Sequence, residues 1–168
     1  MLAGYSHALQ VDADGQHDIT DIELFLTLSQ KHPESIIAGN PIFDASIPRR
    51  RRLGRKITDF WVVIETLSFK FPDAMCGFRV YPLDKIAGVT DRYRIGARMD
   101  FDTEILVKSH WAGIPCHFVD TKVIYPENGA SNFRMLEDNI RITKMHTRLS
   151  IGMLLHLPSI LKRKFGLN

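Results

Sequence analysis

The chain has 168 residues, 45% of them hydrophobic and 24% charged, with a formal net charge of +3. That balance describes one globular domain with a real core and excludes a disordered tail. Cys76 and Cys116 stand far apart with no C-x-x-C spacing, which excludes a structural zinc site and fits a reduced, cytosolic protein. No apolar run reaches the roughly eighteen residues of a spanning helix. The opening, Met1 to Tyr5, lacks the basic start and apolar run of a secretory leader, so none is expected.

Residues 7–11 form a short apolar run with the length of a buried strand. It stops at Asp12 and Asp14, spaced i, i+2, and Gly15 follows at once. Two readings fit. Asp and Gly favour turns, so the string is an acidic turn. Alternatively, a strand end with two carboxylates holds a hard cation, Mg²⁺ or Mn²⁺, with substrate phosphates completing the oxygen shell.

The full string, Asp12-Ala13-Asp14-Gly15-Gln16-His17 after an apolar strand, resembles the metal and sugar-nucleotide motif of family 2 glycosyltransferases of the GT-A type. The nearest resemblance is to the dolichyl-phosphate mannose synthase-like branch. It implies an α/β fold, a GT-A (Rossmann-like) mixed sheet flanked by helices. It also implies that Asp12, Asp14 and Gln16 surround a metal on a nucleotide-diphosphate sugar. Family members begin with an earlier βαβ portion that holds the base and ribose. No counterpart stands ahead of this motif, so the resemblance implies the later part of a GT-A domain, over residues 1–134.

A helix follows, with a capping box expected at Thr20 and Glu23, an apolar stripe at Ile22, Phe25 and Leu26, and a stop at Pro33. Residues 35–39 read as a buried strand and residues 41–48 as a loop. Residues 49–56 then carry six cations in eight positions. They read either as a solvated basic turn or as an anion trap, since the planar fork of Arg bonds two phosphate oxygens at once. A nucleic-acid patch ranks lower, because no aromatic-rich platform accompanies the run. The resemblance implies that Arg55, and next Arg52, holds an acceptor phosphate.

Residues 56–71 look helical and apolar on several faces, as in a helix that is deeply buried or rests on lipid. Cys76-Gly77-Phe78-Arg79 then leads an alternating strand. The family has a Ser-Gly-Phe-Arg-like string here, below a bound phosphate, which makes Arg79 a candidate; a surface strand cation is the other reading. Residues 91–98 read as a mobile polar segment. Asp102 and Glu104 open the next helix, where carboxylates are favoured by the helix dipole alone. The resemblance implies that they face the acceptor, as general base for a hydroxyl. A phosphate acceptor would need no base.

Residues 116–125 read as a strand, followed by a turn-rich loop. The resemblance places an Arg and a Gly-x-Ser-Lys string in that loop; here Pro126 stands for the Arg, Gly129 and Ser131 remain, and Asn132 replaces the Lys. Ser131 is the substrate-binding candidate of this loop, and Arg134 the nearest remaining cation. Residues 135–168 read as a helical tail with cations at Arg141, Lys144 and Arg148, an apolar stretch interrupted at Pro158, and a basic close at residues 162–164. Such a tail lies in a membrane interface or packs as a core helix with a solvated end. The expected activity is metal-dependent, inverting sugar transfer to a polyprenyl-phosphate or other glycan or lipid acceptor. It is expected in the cytoplasm, peripheral on the inner face of a membrane. Two alternatives stand beside it: an inactive fragment, and a basic module that binds nucleic acid or anionic lipid.

Overall fold

The computed structural model describes residues 4–44, 47–124 and 133–166. It is an α/β fold built on a four-stranded mixed sheet: β1 (His7–Gln10), β2 (Ile36–Phe43), β3 (Arg79–Pro82) and β4 (Cys116–Val123), in the order β1-β3-β2-β4. β3 runs antiparallel to both β1 and β2, and β4 runs parallel to β2. β1, β2 and β4 therefore point the same way, and their carboxyl ends share one edge of the sheet.

Helices cover both faces. On one side α1 (Ile22–Lys31) packs Phe25 flat against Phe78, ring centroids 4.1 Å apart, over Ile37, Val80 and Val119. On the other side lie α2 (Arg49–Thr66), α3 (Leu83–Arg92), α4 (Phe101–Trp111) and α5 (Met135–Phe165). Their core joins Ile36, Ala38, Val62, Ile86, Leu106, Met145, Leu149 and Ile160. Ile36 and Ala38 face this core while Ile37 faces α1, as the period of two along a strand requires.

Several boundaries differ from the sequence expectation for physical reasons. β2 runs on through Pro41 to Phe43. The Gly39 amide still bonds the Phe78 carbonyl, but β3 pairs with β2 only at Ile37 and Ala38. Pro41 thus turns its missing donor toward a side that β3 has already left, where a sheet tolerates proline. The basic run is no turn: α2 begins at Arg49, straight after Pro48, because Arg is a good helix former. It ends at Leu67 in the left-handed region, φ 52°, before Pro72 is reached.

The expected capping box at Thr20 does not form. Asp18 accepts from the Thr20 amide at 3.0 Å instead and caps a 3₁₀ turn over Ile19–Asp21. Residues 93–100 are not free. Tyr93 Oη contacts His156 Nε2 at 2.8 Å, and the Arg94 carbonyl accepts from Lys108 at 2.5 Å. α5 continues through Pro158 and contributes Met145, Leu149 and Ile160 to the core. Among the described residues, no helix is long and apolar enough to cross a membrane.

Candidate active site

The shared carboxyl edge gathers four segments: the turn after β1, the end of β2, the approach to β3, and the first turn of α4. Asp12 follows β1 by two residues. Its carboxylate lies directly on Gly77, where a Cβ would overlap it. Glycine is required there for this close approach. The side chain stays 43% exposed, with His17 Nε2 3.9 Å away. Gly15 takes φ +70°, the sharp turn its position demands. Asp14 Oδ1 accepts from the Gln16 amide at 3.1 Å, and the residue is otherwise exposed. Gln16 is buried; its carbonyl accepts from the Ile124 amide at 3.0 Å, and His17 bridges to Val123. The motif turn is thereby fastened to the end of β4.

Asp102 enters the same edge from α4. Its Oδ1 accepts from Gln10 Nε2 at 2.8 Å, and Gln10 Oε1 accepts from Tyr81 Oη at 3.0 Å. Burial pushes the Asp102 carboxyl above its usual range, and the negative charge of Asp12 pushes the same way. The Arg79 charge, the Gln10 hydrogen bond and the Arg55 charge pull it back down.

Glu104, two residues on, points elsewhere. It is fully buried, with Oε1 accepting from Lys108 Nζ at 2.6 Å and from Arg148 at 3.2 Å. Oε2 accepts from the Gly96 amide at 2.7 Å. A carboxylate saturated by two cations and a backbone amide is a brace between elements. As placed it is no general base, and the pairing of Glu104 with Asp102 as acceptor-facing acids does not hold.

Arg79 departs from expectation in the same way. It is wholly buried and donates to the carbonyls of Cys76 at 2.7 Å, Ala74 at 2.9 Å and Asp102 at 2.6 Å. Its fork ties the approach to β3 onto the start of α4. As placed it positions Gly77 and Asp102 rather than presenting donors to a phosphate.

Arg52 and Arg55 line a cleft of about 480 Å³ with Lys56, Asp59, Asp73 and the end of β2 from Asn40 to Phe43. Arg55 lies 5.0 Å over the Phe43 ring and bonds Asp73 at 2.6 Å. The metal-pair candidates do not line this cleft; Asp73 borders it, and Gly77 on the same connecting segment carries Asp12. Ser131 lies outside the described residues. Arg134 is exposed and paired with Glu137 at 2.9 Å.

Sequence reasoning missed Asp59, Asp73, Gln10 and Tyr81. Asp59 follows Arg55 by four positions, the one signal that linked them. Burial raises the Asp59 carboxyl from 3.8 to about 7; the neighbouring Asp73 charge raises it too, while the Ala74 amide and Arg55 oppose. No comparable signal marked Gln10, whose partners are remote in sequence.

A cation fits this edge on one condition. Asp12 and Asp14 offer exposed carboxylate oxygens, but among the described residues no group of three or more His, Cys, Asp or Glu is placed to hold a metal. Two carboxylates suit a divalent ion whose remaining ligands come from a diphosphate. Comparison with protein-family models, curated proteins and solved structures gave no significant match, and the site is read from its own residues.

Proposed function

We propose that the chain belongs to a GT-A glycosyltransferase of the family 2 type. It transfers a sugar from a nucleotide-diphosphate donor to a polyprenyl-phosphate or other glycan or lipid acceptor, with inversion. One observation carries this reading: Asp12 sits on the Gly77-Phe78-Arg79 string, and Asp102 is held by Gln10 at the end of β1, at the carboxyl edge where open α/β sheets bind ligands.

In this reading Asp12 and Asp14 hold Mg²⁺ or Mn²⁺ against the donor diphosphate. An ion held there would supply charge neutralisation for a departing nucleotide. Asp102 takes the proton of an acceptor hydroxyl; burial makes it a better base than an exposed carboxylate, and Gln10 fixes its orientation. Arg52 and Lys56 line the neighbouring cleft and attract the acceptor's anionic group. Gly77 lets the Asp12 carboxylate approach the string.

The test is Mn²⁺-dependent hydrolysis or transfer of nucleotide-diphosphate sugars, wild type against Asp14→Ala. Turnover by the wild type alone supports the reading; equal turnover rejects the metal assignment. The cationic start of α2 favours a second reading, a module for anionic ligands without chemistry. That module would weaken steeply with salt and ignore both Mn²⁺ and the two carboxylates.

A further inference from the structure

The faces of α2 are reversed relative to an ordinary surface helix. Its inward side buries Thr58, Val62, Glu65 and Thr66, and Glu65 pairs with His146 at 2.8 Å. Its outward side carries Leu53 at 61% exposure, Ile57 at 52% and Phe60 at 60%, spaced i, i+4, i+7 on one stripe. Trp61 flanks the stripe at 38% exposure, its ring 5.8 Å from that of Phe60. Arg49, Arg50, Arg52 and Lys56 are exposed around the first two turns of the same helix. Arg52 and Lys56 share the cleft face with Asp59, whereas Arg49 and Arg50 at the helix start have no acidic residue of α2 beside them, and Glu65 is buried.

We infer that α2 docks the protein on an anionic lipid bilayer, its apolar stripe in the acyl boundary and its cations among the headgroups. The helix is about 27 Å long, and its exposed apolar stripe from Leu53 to Phe60 covers about 11 Å of it, directly behind the cationic first turn, the order an in-plane interfacial helix uses. Charge decides the occupant. A second copy meeting the stripe through a two-fold contact brings the same four cations with it, whereas an acidic headgroup layer complements them. Tryptophan beside the stripe suits the headgroup level. α5, packed on α2, repeats the pattern with exposed Ile140, Ile151, Leu154 and Leu155. The sequence offers lipid contact at residues 56–71 as well as in the tail; the outward face of α2 makes it the leading element. The inference uses no residue of the acidic edge, and the variants below leave Arg52 and Lys56, which also line the cleft, unchanged.

The experiment is co-sedimentation of the full chain with vesicles of phosphatidylcholine, alone and mixed with phosphatidylglycerol. Tryptophan emission is followed in parallel; Trp111 is buried, so a blue shift reports Trp61. Binding to the mixed vesicles only, with a blue shift, is expected. Leu53→Ser/Ile57→Ser/Phe60→Ser weakens it roughly tenfold or more, and Arg49→Gln/Arg50→Gln weakens it about thirtyfold at low salt. Both variants replace exposed side chains, and circular dichroism checks that they fold. Three results overturn the proposal: equal partition onto both vesicles, wild-type sedimentation by the serine variant, or a stable dimer that the serine variant dissolves. Mn²⁺-dependent donor hydrolysis persisting in a variant that no longer sediments separates this outcome from the fate of the transfer reading.

Discussion

Asp102 and Glu104 sit two residues apart in the first turn of α4, yet they face opposite sides of the molecule. Asp102 looks to the open edge, held by one side-chain amide and shared with the field of Asp12. Glu104 looks back into the fold, closed in by Lys108, Arg148 and the Gly96 amide. One carboxylate keeps capacity for an incoming proton; the other has spent its lone pairs on protein partners. The two-residue step, about 200° around a helix, is enough to divide them. The lesson is that acidic composition at a helix start says nothing of role until the facing elements are known.

The sharpest way to break this contrast is Asp102→Asn. With a hydroxyl acceptor its turnover falls by about two to four orders of magnitude, while the melting temperature stays near wild type; with a phosphate acceptor turnover is nearly unchanged. Loss of folding in this variant would place Asp102 with Glu104. The converse is Glu104→Ala, which strands a buried Lys108 charge and costs about 3–5 kcal/mol of stability in denaturant titration. A stable Glu104→Ala protein with dead chemistry would invert the assignment.

Gly77→Ala sharpens the open side. Its Cβ displaces the Asp12 carboxylate while the fold persists, and Mn²⁺ affinity measured with a nucleotide diphosphate drops about 10–100-fold. The smallest effect is a pH dependence in the cleft. The folded-state carboxyl of Asp59 is raised by burial to about 7 from 3.8. The native state therefore binds that proton more tightly than the unfolded chain does, and stability from this group is full below about 4 and lost as pH rises through about 7. Asp59→Asn flattens that part of the stability profile in denaturant titrations between those limits.

What the sequence disclosed follows from the range of each interaction. The turn at Gly15 was legible because a left-handed φ leaves a local mark, and the strand end at Asp12 because apolar runs have characteristic lengths. Lys108 at i+4 from Glu104 was a local hint of the brace, while Arg148 came from another helix and left none. Arg79 looked like a free cation because nothing in its own segment shows that three carbonyls converge on it. The basic run was read as a turn because charge suggests solvent, although arginine propensity and the apolar positions downstream also permit a helix. α2 reversed its faces because Glu65 found His146 on α5, a pairing that only the assembled fold reveals.

The thiol of Cys76 lies on the segment that carries both Gly77 and the carbonyl bonded to Arg79. Burial pushes it up to about 11, and that of Cys116 to about 12. Neither is a ready nucleophile at neutral pH, and Cys76, which is buried, meets an alkylating reagent only when the surrounding structure opens, whereas Cys116 is partly exposed. The chain thus carries a built-in clock for the breathing of its acidic edge: the labelling half-life of Cys76 lengthens when a ligand clamps that edge, with Cys116, on the sheet, as the internal standard.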